Sequence, residues 1–220
     1  MHPVVASQLS FESGGKSIRI DCYTPAANGE LFPAIIGLHG SGGGYPLVMV
    51  PGRLLAAQGF AVFVLHYFNR TDTTWVSDRA TILRYGPAWV KTVWDAISFV
   101  VQQPKIDSER VGLLGFSLGA YLALATASID ARVKAVVDFF GGFPKEMRLL
   151  MRRFCPVLIL HGQADETVPV SEAHYIAHLA EKRKVPYEMK IYPGAGHGFS
   201  PEVMADAGQR TLDFLQKHLG

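Results

Sequence analysis

The stretch that decides the fold is VGLLGFSLGAYLAL, residues 111–124. An apolar segment leads into Gly115-Phe116-Ser117-Leu118-Gly119, and a second apolar segment follows. A lone hydroxyl between two glycines contributes nothing to packing at such a junction. Either a tight turn happens to contain a serine, or the turn serves to present the hydroxyl of Ser117.

The composition is that of an ordinary globular domain, since 49% of the 220 residues are hydrophobic and 18% are charged. We therefore expect one domain over residues 1–220, with a sizeable core.

The chain has 21 Lys and Arg residues against 19 Asp and Glu residues, without a basic cluster, which argues against a nucleic-acid or membrane partner. No apolar run could span a membrane and no secretory leader is evident, so we expect a cytoplasmic protein. The two cysteines, Cys22 and Cys155, lie in apolar surroundings and are interpreted as reduced core residues.

Short apolar runs alternate with longer amphipathic ones along the chain. Strands are predicted at residues 17–23, 34–39, 61–67, 110–116, 133–139, 157–161 and 187–192. Helices are predicted at residues 47–58, 88–103, 118–128, 171–184 and 201–218. Several strands are apolar on both faces, which is typical of parallel strands covered by helices. The pattern predicts an α/β fold with a mostly parallel, doubly wound sheet flanked by helices and no separate lid domain.

Right-handed crossovers place the carboxyl ends of parallel strands along one edge of such a sheet, where ligands bind. Four loops that follow predicted strands should therefore meet there. They contribute a glycine-rich turn at residues 40–44, the hydroxyl of Ser117, the carboxylate of Asp165 and the imidazole of His197.

Ser117 fits the nucleophile elbow of α/β-hydrolases, in which Gly-x-Ser-x-Gly joins a strand to a helix. Side chains at the two glycine positions would collide with the neighbouring strand and helix. The turn also exposes the hydroxyl at a helix N-terminus, whose dipole favours developing negative charge. The five-residue pattern alone occurs by chance, but the flanking strand and helix favour Ser117 as the nucleophile over a structural turn.

His197, in the loop PGAGHGF, is the candidate general base, because a serine hydroxyl needs a neighbouring base to become nucleophilic. His39 and His161 precede glycines at strand ends and are interpreted as structural. His174 and His178 have helical i, i+4 spacing, but without a neighbouring Glu they favour a solvated helix face over a zinc site. No metal site and no cofactor is predicted.

Asp165, in HGQADETVP, is the candidate acid that orients the imidazole. The chain order Ser117, Asp165, His197 is that of the α/β-hydrolase triad. Asp138, at the end of the preceding predicted strand, is the alternative. The loop LHGSGGG should supply an oxyanion hole, with backbone N–H groups from Ser41 and Leu118; a flexible turn is the other interpretation.

The chain resembles the dienelactone hydrolase family of the α/β-hydrolase superfamily. The resemblance spans most of the chain and rests on GLLGFSLGAYLAL, LILHGQADETVPV, YPGAGHGF and AGQRTLDFL. The namesake enzymes carry cysteine at the position of Ser117, Glu at that of Gly40 and Arg at that of Pro201. The resemblance thus implies the fold and the triad, with a serine in place of the cysteine, and a general esterase activity.

The segment 68–87, FNRTDTTWVSDRATILRYGP, is predicted to link a strand to a helix at the active edge, the edge of the sheet where the carboxyl ends of the parallel strands meet. We expect it either to line the substrate pocket, through Trp75, Arg79 and Arg84, or to be an ordinary surface loop. The lack of room for an inserted lid favours small substrates over long lipids.

The sequence predicts a serine hydrolase that cleaves small carboxylic esters or lactones through an acyl-enzyme. A peptidase or a thioesterase would use the same residues, and a non-catalytic binding protein is a further alternative. Either a monomer or a homodimer is compatible with the sequence.

Overall fold

Eight strands of the computed structural model form one mixed, mostly parallel sheet in the order β1-β2-β4-β3-β5-β6-β7-β8. The structure describes residues 1–27, 29–44 and 46–220, and for residues 46–51 the backbone alone. The strands are β1 (Val4–Ser13), β2 (Lys16–Pro25), β3 (Phe32–Leu38), β4 (Ala61–Leu65), β5 (Ile106–Phe116), β6 (Val133–Phe139), β7 (Val157–Gly162) and β8 (Tyr187–Tyr192). The helices are α1 (Pro46–Ala57), α2 (Arg79–Val100), α3 (Leu118–Ala127), α4 (Ser171–Arg183) and α5 (Pro201–Leu219).

The sheet is parallel from β4 to β8, while β1 and β2 are antiparallel to their neighbours. Every residue of β3, β4 and β7 is buried, because helices cover both faces of the sheet. Alternate residues of a strand point to the two faces of the sheet, and each face has its own hydrophobic cluster. Ile36 packs in the cluster that includes α2, α3 and α4, and Ile35 packs in the cluster that includes α5. The predicted α/β-hydrolase architecture is confirmed.

Several features of the sequence prediction hold closely. The predicted bounds of β6 and β8 are those observed, and the helices other than α2 begin and end within one residue of the predicted positions. Cys22 and Cys155 are buried and unpaired, as expected. Within the described ranges, no helix combines the length and the hydropathy needed to cross a membrane.

The first strand was not predicted. β1 pairs with β2 along its whole length at the edge of the sheet, and most of its side chains are exposed, so it lacks an apolar face to reveal it. Gly14 and Gly15, both at positive φ, form the two-residue hairpin turn between Ser13 and Lys16. This Gly-Gly pair was the signal that could have predicted the hairpin.

The predicted start of the second helix is wrong. α2 begins at Arg79, nine residues before the predicted residue 88, and it contains Pro87. The Asp78 side chain caps the helix by accepting a hydrogen bond from the Thr81 backbone at 2.8 Å. Much of the predicted 68–87 linker is therefore helical, and a short 3-10 helix at Tyr67–Thr71 fills part of the rest.

Candidate active site

Ser117 lies in the sharp turn between β5 and α3, with φ 53° and ψ −118°, a conformation that a non-glycine residue rarely adopts. Its backbone N–H donates to the Phe139 carbonyl at 2.9 Å, which ties the turn to β6. A Cβ at Gly115 would lie 2.4 Å from the Ala120 nitrogen, and one at Gly119 2.3 Å from the Leu38 oxygen. These contacts are the collisions predicted from the sequence, so only glycine permits this turn.

The structure brings Ser117, His197 and Asp165 into one hydrogen-bonded line. Nδ1 of His197 lies 2.8 Å from Oδ2 of Asp165, and Nε2 lies 2.9 Å from the Ser117 hydroxyl. Because a carboxylate only accepts, the Nδ1 proton points to Asp165 and leaves the lone pair of Nε2 facing the hydroxyl. The arrangement can accept a proton from Ser117 and stabilise the resulting imidazolium.

Asp165 is held rigidly by the loop that follows β7. Its carboxyl is fully buried, and Oδ1 accepts hydrogen bonds from the backbone N–H groups of Thr167 at 2.9 Å and Val168 at 2.8 Å. The Val168 carbonyl is in turn 2.8 Å from Nε2 of His161. His161 thus packs against the acid loop, residues 163–170, and its Nε2 also lies 3.5 Å from Oδ2 of Asp165. Both contacts favour the structural role that its sequence position indicates. The oxygen left over, Oδ2, faces His197.

The glycine-rich loop after β3 lies directly against the serine turn. A Cβ at Gly40 would be 3.5 Å from the Ser117 Cβ. The Ser41 carbonyl accepts from the Val76 N–H at 3.0 Å, and the Gly40 carbonyl accepts from the Gly43 N–H at 3.1 Å. Ser41 lines the same cavity as Ser117, and Leu118 is the first residue of α3, whose N–H has no acceptor within the helix.

His39 anchors the start of this loop. The ring stacks on Tyr67 with 4.1 Å between centroids, and Nδ1 donates to the Gly40 carbonyl at 2.7 Å. The Tyr67 hydroxyl donates to the His39 carbonyl at 2.8 Å. Burial lowers the pKa of His39 to about 4, so the ring is neutral near pH 7 and acts as a structural support.

Asp138, the alternative acid, has no hydrogen bond to His197. It is fully buried, and neither carboxyl oxygen reaches a hydrogen-bond partner of good geometry among the described residues. Burial raises its pKa to about 8; the Gly141 backbone opposes this shift, and the charge of Glu172 adds to it. Asp138 is therefore mostly protonated near pH 7, whereas an acid that orients a catalytic histidine must be ionised.

A cavity of about 1230 Å³ opens beside Ser117. Arg79 is part of its wall and lies 3.6 Å from Glu146 in an exposed ion pair. Trp75 and Arg84 are absent from the described lining, contrary to the predicted pocket: Trp75 is 63% exposed, and the Arg84 guanidinium lies over the Tyr85 ring at 5.3 Å. The early start of α2 explains the position of Arg84, because it places that residue on an outer face of the helix.

Two cavity residues close to the serine were missed by sequence reasoning. Tyr121 follows Ser117 by four residues on α3, so it projects on the same side of the helix, a spacing that could have predicted it. Burial and the charges of Glu172, Asp138 and Asp165 raise the pKa of its hydroxyl, which stays protonated. Glu172 enters the cavity from α4, and nothing in its sequence context indicated this.

Residues 22–219 match the model of the dienelactone hydrolase family. Acyl-coenzyme A thioesterase 5 of Mus musculus is 36% identical over 124 residues, covering 56% of this chain and 27% of the relative. The acylamino-acid-releasing enzyme of Mus musculus is 28% identical over 208 residues, covering 76% of this chain and 28% of the relative. The chain thus spans little more than a quarter of the length of each of these two relatives.

Among solved structures, a dienelactone hydrolase-like promiscuous phosphotriesterase from metagenomic libraries superimposes with a TM-score of 0.85. The two chains are 19% identical, and the match covers 99% of each. At this identity the likeness concerns the fold, which the two proteins share over their whole lengths.

Proposed function

The chain belongs to the dienelactone hydrolase family, and on that premise we propose that it is a serine hydrolase that cleaves carboxylic esters or lactones. The observation that carries the proposal is the hydrogen-bonded line from the Ser117 hydroxyl through His197 to Asp165. All three groups meet the distances that nucleophilic catalysis by serine requires.

In the proposed mechanism, Nε2 of His197 removes the hydroxyl proton as Ser117 attacks the carbonyl carbon of the substrate. The tetrahedral oxyanion is stabilised by the N–H groups of Ser41 and Leu118, each of which contributes about 3 kcal/mol to lowering the barrier. The imidazolium then protonates the leaving oxygen, and an acyl-enzyme forms. A water molecule, deprotonated by the same imidazole, releases the acid and restores Ser117.

Hydrolysis of p-nitrophenyl acetate tests this proposal. We expect an initial burst of one nitrophenolate per protein if deacylation limits turnover, and a fall in kcat of roughly 10⁶-fold in Ser117→Ala. Ser108→Ala is the matched control, because Ser108 is exposed at the opposite end of β5. Equal rates for wild type and Ser117→Ala would refute the proposal.

A thioester is the second candidate substrate, favoured by the 36% identity with the acyl-coenzyme A thioesterase. It would be cleaved by the same residues, since the leaving sulfur replaces the leaving oxygen. The ratio of kcat/KM for S-acetyl and O-acetyl substrates with matched leaving groups separates the two. A ratio well above that of the uncatalysed reactions would favour the thioester.

A further inference from the structure

The cavity beside Ser117 is a groove lined mostly by apolar side chains; the charged members of its wall are Arg79, Lys145, Glu146, Arg152 and Glu172. Its volume of about 1230 Å³ lies above the roughly 300–1,000 Å³ that is typical of small-ligand pockets. An acetate-sized ester would leave most of this space unfilled. The shape and the chemistry of the groove therefore carry information about the substrate.

Two helix faces form its walls. The α2 face repeats at helical spacing and consists of Ile82, Leu83, Gly86, Val90 and Trp94. The α3 face begins next to the nucleophile and consists of Leu118, Tyr121, Leu122, Ala125 and, just past the helix, Ile129. Both helices start at the active edge of the sheet and run away from it, so the groove leads from Ser117 down the side of the molecule.

The segment between β6 and β7 forms a further part of the groove lining. It contributes Met147, Leu149, Leu150 and Met151 to the lining, and Leu149 is 98% exposed. The Arg79–Glu146 ion pair joins this segment to the start of α2. Exposed apolar side chains gathered along one groove indicate a binding surface.

The position of His197 indicates which part of a substrate the groove would hold. The imidazole must stand beside the leaving oxygen to protonate it, yet His197 is not among the described residues that line the groove. Leu118, the candidate oxyanion donor, does line it. The groove therefore extends from the acyl side of the reacting carbonyl.

We propose that this groove binds the hydrocarbon chain of a medium-length acyl group. This inference rests on the proposed function and specifies the substrate of the hydrolase. The ten residues of α3 span about 15 Å at 1.5 Å each. An extended hydrocarbon advances by about 1.3 Å per carbon, given C–C bonds of about 1.5 Å. The groove thus accommodates acyl chains of about eight to twelve carbons.

A series of p-nitrophenyl esters from acetate to dodecanoate, kept below micellar concentrations, tests the proposal. Burial of each methylene is worth up to about a fourfold gain. We expect kcat/KM to rise at least a hundredfold from acetate to decanoate and then to level off. Gly86→Leu should lower the decanoate-to-acetate ratio at least tenfold, because a Cβ at Gly86 meets nothing within 4 Å and the side chain has room to fill the groove.

Gly208→Leu is the matched control. Gly208 is an exposed glycine inside α5, and a Cβ there also meets nothing within 4 Å. We expect this variant to keep the wild-type ratio within twofold. Leucine favours a helix over glycine at both positions, so circular dichroism should show both variants folded.

Calorimetric titration with decanoate and with acetate separates this inference from the proposed function. If acetate esters are hydrolysed, kcat/KM does not rise along the ester series and decanoate does not bind, then the acyl-groove proposal is wrong while the hydrolase proposal stands. Decanoate binding that Gly86→Leu weakens, in a protein that cleaves no ester, would support the groove and refute the hydrolase. A protein that shows neither ester turnover nor decanoate binding would refute both proposals. The groove would then be a surface for another protein.

Discussion

The carboxyl ends of β6 and β7 each carry a buried aspartate, and their surroundings favour opposite charge states of the two carboxyl groups. Asp165 lies three residues beyond β7, where two backbone N–H groups and His197 accommodate its charge. Asp138 is still inside β6, and burial raises its pKa to about 8. A carboxylate serves as an orienting acid only where the loop supplies donors for it, and burial alone produces a neutral side chain.

Among the variants that compare the two aspartates, Asp165→Asn is expected to have the largest effect. The amide can present its N–H to Nδ1 of His197 and so favour the wrong tautomer, which should lower kcat about 10⁴-fold on p-nitrophenyl acetate. Asp138→Asn should leave kcat within about threefold, because Asp138 does not contact the imidazole. A comparable loss in both variants would break the distinction between the two aspartates.

A second prediction concerns the packing of the end of β7 against the loop that follows β8 and carries His197, residues 193–200. A Cβ at Gly162 would lie 2.3 Å from the Ala195 oxygen and 2.5 Å from the Gly196 oxygen, so Gly162→Ala must push the backbone next to His197. A displacement of about 1 Å lowers activity roughly 10²-fold. In Gly208→Ala, the matched control in an exposed stretch of α5, we expect unchanged kcat. Wild-type kinetics in Gly162→Ala would show that the loops adjust freely.

The third prediction is the pH dependence of stability. With a folded pKa of about 8 against an ordinary 3.8, Asp138 binds a proton in the folded state that the unfolded state has released, so stability falls as pH rises towards 8. Below pH 6.5 the buried His39, His66 and His161, whose pKa values are lowered, produce the opposite slope. The effect of Asp138 is thus cleanest between pH 6.5 and 8.

Over that window Asp138 alone lowers the free energy of unfolding by about 2 kcal/mol, while the three histidines raise it by about 1 kcal/mol in all. Urea denaturation at the two pH values should therefore show a change about 2 kcal/mol more negative in the wild type than in Asp138→Asn, which keeps the histidines. An equal fall in the variant would mean that Asp138 is ionised in the folded protein and has partners that offset its burial.

The sequence was most informative where a single backbone geometry requires particular residues. The elbow glycines have no alternative, because their Cβ atoms would collide with Ala120 and with the Leu38 carbonyl. Chain order then placed Asp165 and His197 at the ends of β7 and β8. The distances between them depend on how three loops pack, which local pattern does not contain.

Sequence reasoning was least informative where tertiary contacts override local signals. β1 has few buried side chains and is held by pairing with β2. The helix predicted from residue 88 begins instead at the Asp78 cap, and α2 continues through Pro87. The groove was also hidden, because it requires one face of α2 to meet one face of α3 across a large separation in sequence.

The rate at which a fluorophosphonate labels Ser117, followed by intact mass and peptide mapping, tests directly whether Asp165 and not Asp138 supports an activated serine. We expect one adduct on Ser117 in the wild type, its absence in Ser117→Ala, much slower labelling in Asp165→Asn and a near wild-type rate in Asp138→Asn. No adduct on the folded wild type, or equal slowing in both aspartate variants, would contradict it.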